Sequence, residues 1–229
     1  DVYKRQDTDF TTEYELEFLK DPSKIANALQ VKDDAKATGA NMDDILTNIN
    51  DLVELNSDFQ GDASKMATVF ANPDKADELK RLNDQFEGQG DTFLSNLDKL
   101  EDFEDLASDF QGDATKMATV FANPEKADEL KRLNDQFEGQ GDTFLSNLDK
   151  LEDFEELASD FQGDATKMAT VFANPEKADE LKRLNELHPG KEDLFLGNLD
   201  SLDTFESDSG YIDLLESNPD FFNDVIELD

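Results

Sequence analysis

The chain has 229 residues, of which 57 are acidic and 21 basic, so its formal net charge is −36. Such a surface repels nucleic acids and anionic membranes, because both are polyanions, and it suits cationic partners or divalent ions. The lack of cysteine excludes disulfides and thiolate metal sites, whereas the 18 Phe residues argue against simple disorder.

The two ends of the chain differ from its middle. The first six residues, DVYKRQ, can be encoded by a transposase adapter used in sequencing libraries, so we expect residues 1–6 to be a library scar. The last residues, DVIELD, continue a helical pattern without a stop signal. We therefore expect a metagenomic fragment of a longer protein. No apolar run approaches the roughly 20 residues that a membrane-spanning helix needs, so we expect no membrane insertion.

The middle of the chain repeats itself with a period of 51 residues. Copy 1 spans 55–105, copy 2 spans 106–156 and copy 3 spans 157–207, and a diverged, truncated unit follows at 208–229. Copies 1 and 2 differ at four positions, and copies 2 and 3 are identical over 157–185. Near-identical tandem repeats of this length are typical of stacked arrays.

A shorter repeat lies inside each copy. FANPEKADEL (121–130) matches LSNLDKLEDF (145–154) in residue type everywhere except at one Pro/Leu pair, which indicates units of alternately 24 and 27 residues. Residues 7–54 contain diverged N-terminal units, recognisable in LKDPSKIANAL (19–29) and LTNINDLVEL (46–55).

In copy 2, the start of each unit predicts a short amphipathic helix. Asp113 follows Gly112 and can cap it, and apolar residues on one face follow at helical spacing. These residues are Ala114, Met117, Ala118 and Phe121. Asn123 is predicted to end this helix and to cap the next one, with Pro124 in the first helical position.

The second helix of the unit is predicted to run over EKADELKRLNDQF (125–137). Its apolar side would carry Ala127, Leu130, Leu133 (or Asn134) and Phe137. Gly139 and Gly141 are predicted to end it, and Asp142 to cap the next helix. Asp128 and Arg132 form an i,i+4 pair in the favourable order.

The segment 143–161 allows two interpretations. Leu148 stands where the other half-unit has Pro124, so one long helix is possible. The alignment of the half-units favours a break after Asn147. Strands are not expected, because Val, Ile, Tyr and Thr are sparse and do not alternate with polar residues.

We predict no catalytic, cofactor-binding or metal-binding residue. His188, the single His, lies in a Pro-Gly turn without partners at ligand spacing, so we interpret it as a loop residue. The acidic run Glu152, Asp153, Glu155 and Glu156 is interpreted as a solvated helix face. The nearest EF-hand alignment, with Gly210 at position 6, puts Phe205 at the first ligand position and fails. The Gly-Asp pairs at 61–62, 90–91, 112–113, 141–142 and 163–164 are interpreted as helix ends and caps. Weak, non-specific binding of divalent cations is expected from charge density alone.

These amphipathic helix pairs resemble α-solenoid arrays, the group that includes tetratricopeptide and HEAT repeats, although the unit length and signature residues differ from both. They also resemble the acidic repeat regions of large uncharacterised bacterial surface proteins. The resemblance implies an all-α chain of tandem helical hairpins stacked as a solenoid or elongated superhelix.

Two functions follow as expectations. The first is a non-enzymatic spacer or protein-interaction module of a larger acidic protein, extracellular or at the cell surface. The alternative is a cytoplasmic α-solenoid that binds a peptide or protein partner with basic character. Exposed positions repeat almost verbatim and are mostly Asp, Glu, Lys, Asn and Gln, which favours the spacer.

Overall fold

The structure, a computed structural model, describes residues 22–207. Throughout this range the regular structure is α-helix or short 3-10 helix, without strands, which confirms the predicted all-α class. The proposed scar at 1–6, the unit at 208–229 and the rejected EF-hand around Gly210 lie outside the described residues.

The α-helices are short and closely spaced. In chain order they are α1 (Pro22–Thr38), α2 (Met42–Thr47), α3 (Ile49–Asp58), α4 (Ala63–Ala71), α5 (Ala76–Gln85), α6 (Gly90–Ser95), α7 (Leu100–Asp109), α8 (Ala114–Ala122), α9 (Ala127–Gln136), α10 (Gly141–Ser146), α11 (Leu151–Asp160), α12 (Ala165–Ala173), α13 (Ala178–Leu187), α14 (Glu192–Leu196) and α15 (Leu202–Ser207). Three-residue 3-10 turns lie at Pro73–Lys75, Leu97–Lys99, Pro124–Lys126, Leu148–Lys150, Pro175–Lys177 and Leu199–Ser201.

The chain divides into two compact units, residues 1–124 and 125–229. In the first unit, α1 packs against α3, α3 against α5, and α5 against α6 and α7. In the second unit, α9 packs against α10 and α11, and α13 packs against α11, α14 and α15. Within each unit, helices therefore pack mainly against near neighbours in sequence.

Aspartate caps open α4, α8 and α12, as predicted. The Asp113 carboxylate accepts hydrogen bonds from the backbone N–H groups of Thr115 (2.9 Å) and Lys116 (3.1 Å). Asp62 and Asp164 cap α4 and α12 in the same way. These bonds satisfy N–H groups that lack partners at a helix start.

The turn before each of these caps has an unusual backbone. Gln111 lies at φ 54° and Gly112 at φ 70°. The N–H of Gly112 donates to Ala107 O (2.7 Å) and that of Gln111 to Ser108 O (3.0 Å), which is a Schellman helix end. Gln60 and Gln162 take the same left-handed conformation, at φ 54° and 53°. Glycine usually fills this position, because a side chain is strained there.

The asparagine that ends α4, and its equivalent at the end of α12, do not form the N-terminal cap that was predicted for this position of the repeat. Asn123 ends α8, and its side-chain Nδ2 donates to the carbonyl of Thr119 at 2.8 Å. The equivalent Asn72 and Asn174 make no side-chain hydrogen bond to the following turn, so the predicted N-capping role is wrong there. The amide is turned back toward the end of the preceding helix, where carbonyl groups lack partners. Pro124 begins a 3-10 turn, and α9 starts only at Ala127.

The segment 143–161 is broken after Asn147, as the half-unit alignment favoured. Asn147 Nδ2 donates to Thr143 O at 2.8 Å, as Asn123 does to Thr119. A 3-10 turn, Leu148–Lys150, separates α10 from α11. The asparagine therefore marks the break even where proline is absent.

The buried face of α8 differs from the predicted one. Met117, Val120 and Phe121 are buried, whereas Ala114 and Ala118 are exposed. The prediction for α9 is confirmed, because its four predicted apolar residues are all at most 6% exposed. They are Ala127, Leu130, Leu133 and Phe137. In α8, the larger Val120 covers more apolar surface than an alanine would.

The second glycine of each EGQG stretch does not end a helix. Gly90 is the first residue of α6 and Gly141 the first residue of α10, so Asp91 and Asp142 lie inside these helices and are not caps. A Cβ on Gly90 would lie 2.7 Å from Phe59 Cε1 and 2.9 Å from Asn83 Oδ1. Glycine is therefore needed at position 90 for close packing.

Phenylalanine rings form much of the core. Phe121 meets three rings of the first unit edge-on, with centroid distances of 5.1 Å to Phe86, 5.0 Å to Phe93 and 5.3 Å to Phe103. In the second unit, Phe172 meets Phe137, Phe144 and Phe154 at 5.1, 5.0 and 5.3 Å. The same cluster therefore occurs at matching positions of the sequence in both units.

Phe70 holds the matching position of copy 1 and is equally buried, at 3% exposed. Among the described residues it makes no ring contact. A depression of about 420 Å³ lies beside it, lined in part by Ala40, Ala67 and Pro73.

Candidate functional site

The residues between 22 and 207 contain no group of three or more His, Asp or Glu side chains that could hold a metal ion. In the same range, no helix has the length and apolar character needed to cross a membrane. The features that could carry a function are therefore charged surfaces, corners and half-buried acids.

Charged side chains connect neighbouring helices of the first unit. Arg81 on α5 donates through Nε and Nη2 to both oxygens of Glu104 on α7, at 2.7 and 2.9 Å. Lys80, also on α5, lies 2.9 Å from Glu54 on α3. Hydrogen bonds raise the pKa of both bases, with Asp84 and then Glu54 acting on Lys80 and Glu104 acting on Arg81, so the bases stay charged. Because these side chains are partly exposed, each pair is worth roughly 0.2–1 kcal/mol.

The second unit uses the same arrangement. Arg132 on α9 donates to both oxygens of Glu155 on α11, at 2.7 and 3.1 Å, and also pairs with Asp128 as predicted. Lys182 on α13 lies 2.9 Å from Glu156 and 3.4 Å from Asp153. Asp153, Glu155 and Glu156 therefore pair with bases on other helices. The interpretation of the acidic run at 152–156 as a solvated helix face is wrong for these three residues.

The Arg81–Glu104 and Arg132–Glu155 pairs both span 23 residues. Because the copies are near-identical, every pair of opposite charges recurs at a constant spacing, so this offset does not by itself indicate a contact between helices. The i,i+4 spacing of Asp128 and Arg132 predicts only the contact within one helix.

In the first turn of each of these capped helices, a lysine lies above a phenylalanine ring of the preceding corner. Lys65 lies 5.5 Å from the centre of the Phe59 ring and 2.5 Å from the Asp91 carboxylate. Lys167 lies 5.6 Å from the Phe161 ring, where a depression of about 380 Å³ opens. Because the chain's own ammonium groups already cover these rings, the geometry supports a structural role for the corners.

His188 directly follows the last residue of α13 and is half-buried. Its ring lies 6.0 Å from Phe195, whereas Phe86 and Phe137 hold the equivalent position in copies 1 and 2. The interpretation as a plain loop residue is therefore incomplete, because His188 replaces a core ring.

Comparison with protein-family models, curated proteins and solved structures finds no match to this chain.

Proposed function

We propose that this chain is a non-enzymatic spacer within a larger acidic protein. In this proposal, helical hairpin units of 24 and 27 residues form super-repeats of 51 residues, which stack as a solenoid or elongated superhelix. The array would hold other parts of the protein apart, or display them, outside the cell or at its surface.

The observation that supports this proposal most directly is the ring cluster shared between copies. Phe121 belongs to copy 2, but its three ring partners belong to copy 1. Phe172 of copy 3 likewise meets three rings of copy 2. A copy whose core is completed by the preceding copy cannot bury its apolar face alone, and this dependence is typical of stacked repeats.

The distribution of charge supports a spacer as well. Arg81 and Arg132 each connect consecutive long helices, while acidic residues outnumber basic ones by 57 to 21 in the whole chain. A high net charge of one sign keeps an extended surface soluble and disfavours association between copies of the protein.

Removing whole copies tests the proposal. Deletion of 106–156 joins copy 1 to copy 3, and because copies 2 and 3 are identical over 157–185, Phe172 can take the place of Phe121. We expect this variant, and a second lacking 55–156, to remain helical by circular dichroism. Small-angle scattering should show the maximum dimension falling by equal steps.

A matched control is a deletion that does not correspond to a whole copy of the repeat. Deletion of 106–145 is similar in size but joins unlike parts of two copies, so it should lose cooperative unfolding. The spacer proposal is wrong if the deletion of 106–156 is as destabilising as this control, or if the maximum dimension does not follow copy number.

A further inference from the structure

The surroundings of Phe70 differ from those of its equivalents in the later copies. Phe121 and Phe172 each meet three rings of the preceding copy. The residues that precede copy 1 in the described structure, 22–54, contain no Phe, Tyr or Trp. Aliphatic side chains therefore stand before Phe70 at the positions where copies 1 and 2 carry rings.

The 51-residue register identifies these aliphatic residues. It extends to the start of the described structure, since α3 begins at Ile49 and α7 begins 51 residues later, at Leu100. Ala35, Met42 and Leu52 hold the positions of the three ring partners of Phe121. Because alanine fills much less volume than a phenylalanine ring, space is left open near Phe70.

That space is a depression of about 420 Å³ between the start of α2 and the end of α4. Its apolar wall is formed by Phe70 together with Ala40, Ala67, Ala71 and Pro73. Clefts that hold small ligands have volumes of roughly 300–1,000 Å³. The depression is therefore large enough to receive one aromatic side chain.

The rim of the depression is polar and carries an exposed acid, Asp44. Two other rim side chains are already engaged, because Thr38 Oγ1 donates to Ala35 O at 2.7 Å and Asn41 Oδ1 accepts from the Asp43 N–H at 3.1 Å. Within residues 22–207, no base or hydrogen-bond donor engages the carboxylate of Asp44. A cation at the rim therefore finds an acceptor that the chain does not use itself.

We propose that this depression binds an aromatic side chain of a partner protein that is flanked by lysine or arginine. The ring contacts Phe70, as rings of the preceding copy contact Phe121 and Phe172. The flanking cation pairs with Asp44, and the net charge of −36 attracts a basic segment. This binding site goes beyond the spacer role and does not depend on it.

Charge distinguishes this occupant from two others of the same chemistry. Residues 7–21 of the chain contain three aromatic residues, Phe10, Tyr14 and Phe18, but they also contain six acids and only one base. A second copy of the chain carries the same net charge of −36. Either occupant brings like charges toward Asp44, whereas a basic partner brings opposite ones.

A tripeptide of arginine, tryptophan and arginine with blocked ends serves as the test ligand. The same peptide with alanine in place of tryptophan is the matched control. In NMR titrations of the full chain at low salt, the first peptide should shift amide signals within 38–44 and 67–73. The alanine peptide should bind at least about tenfold more weakly, because it lacks the ring. Equal affinities, or shifts spread evenly over the acidic surface, would overturn the proposal.

Substitutions in the full chain separate the ring contact from the charge contact. Ala67→Leu fills the depression and should weaken binding of the tryptophan peptide at least about tenfold, whereas Ala118→Leu, the same change in copy 2, should leave it unchanged. Asp44→Asn should weaken binding by roughly two- to fivefold at low salt. Asp149→Asn removes an equal charge from the second unit and should have little effect. The proposal is wrong if either control weakens binding as much as its counterpart.

A further full-length variant examines the chain's own N-terminal segment as the occupant. It combines Phe10→Ser, Tyr14→Ser and Phe18→Ser, and we expect its affinity for the tryptophan peptide to equal that of the wild type. A gain of tenfold or more would show that these aromatic residues compete for the depression. That result would overturn the assignment of the site to a partner protein.

Discussion

The substitution Phe121→Leu is expected to destabilise the first unit more than Phe70→Leu does. Both rings are at most 6% exposed, so both substitutions remove a buried ring. Replacing Phe by Leu in a core costs up to about 1.5 kcal/mol through altered shape. Phe121 also loses three edge-on contacts, at 5.0 to 5.3 Å, each worth about 0.5–1.5 kcal/mol. Because such contacts are not additive, we expect an extra cost of roughly 2 kcal/mol.

Urea unfolding followed by far-UV circular dichroism measures this difference, because urea is uncharged and leaves electrostatic interactions unscreened. Amide hydrogen exchange of α8 and α4 then locates the loss within the first unit. Phe172→Leu serves as a control, since its cluster has the same centroid distances. Equal costs for Phe121→Leu and Phe70→Leu would refute the stabilising role of the ring cluster.

Three further predictions concern turns, packing and salt. Gln111→Gly should stabilise the protein by about 1 kcal/mol in urea unfolding, because φ at this residue is 54°, whereas Gly112→Ala should destabilise it; the reverse order would contradict the strain. Gly90→Ala should cost about 1–3 kcal/mol in the same assay, since its Cβ would lie 2.7 Å from Phe59 Cε1; a neutral effect would mean that the ring moves freely. Thermal unfolding should shift to higher temperature between low and sea-water NaCl, because salt screens repulsion among charges summing to −36. A flat or falling melting temperature would show that the attractive ion pairs outweigh that repulsion.

At the candidate site, sequence spacing predicts contacts within one helix but not contacts between helices. The pair Asp128–Arg132 was predictable, because residues four apart on a helix are neighbours. The contact of Arg132 with Glu155 depends on how α9 lies against α11, and no local rule supplies that orientation.

The sequence by itself determined the helical class, the 51-residue period and the caps at Asp62, Asp113 and Asp164, and it favoured the break at Asn147. The period is read by comparing the chain with itself, and the other features depend on hydrogen bonds or periodicities within about five residues. Only the tertiary structure decided that Val120 is buried while Ala118 is exposed, and that Gly90 opens α6 instead of ending a helix. Those outcomes depend on which residues from other helices come close, such as Phe59 against Gly90. Packing between helices therefore selects among local arrangements that short-range rules do not distinguish.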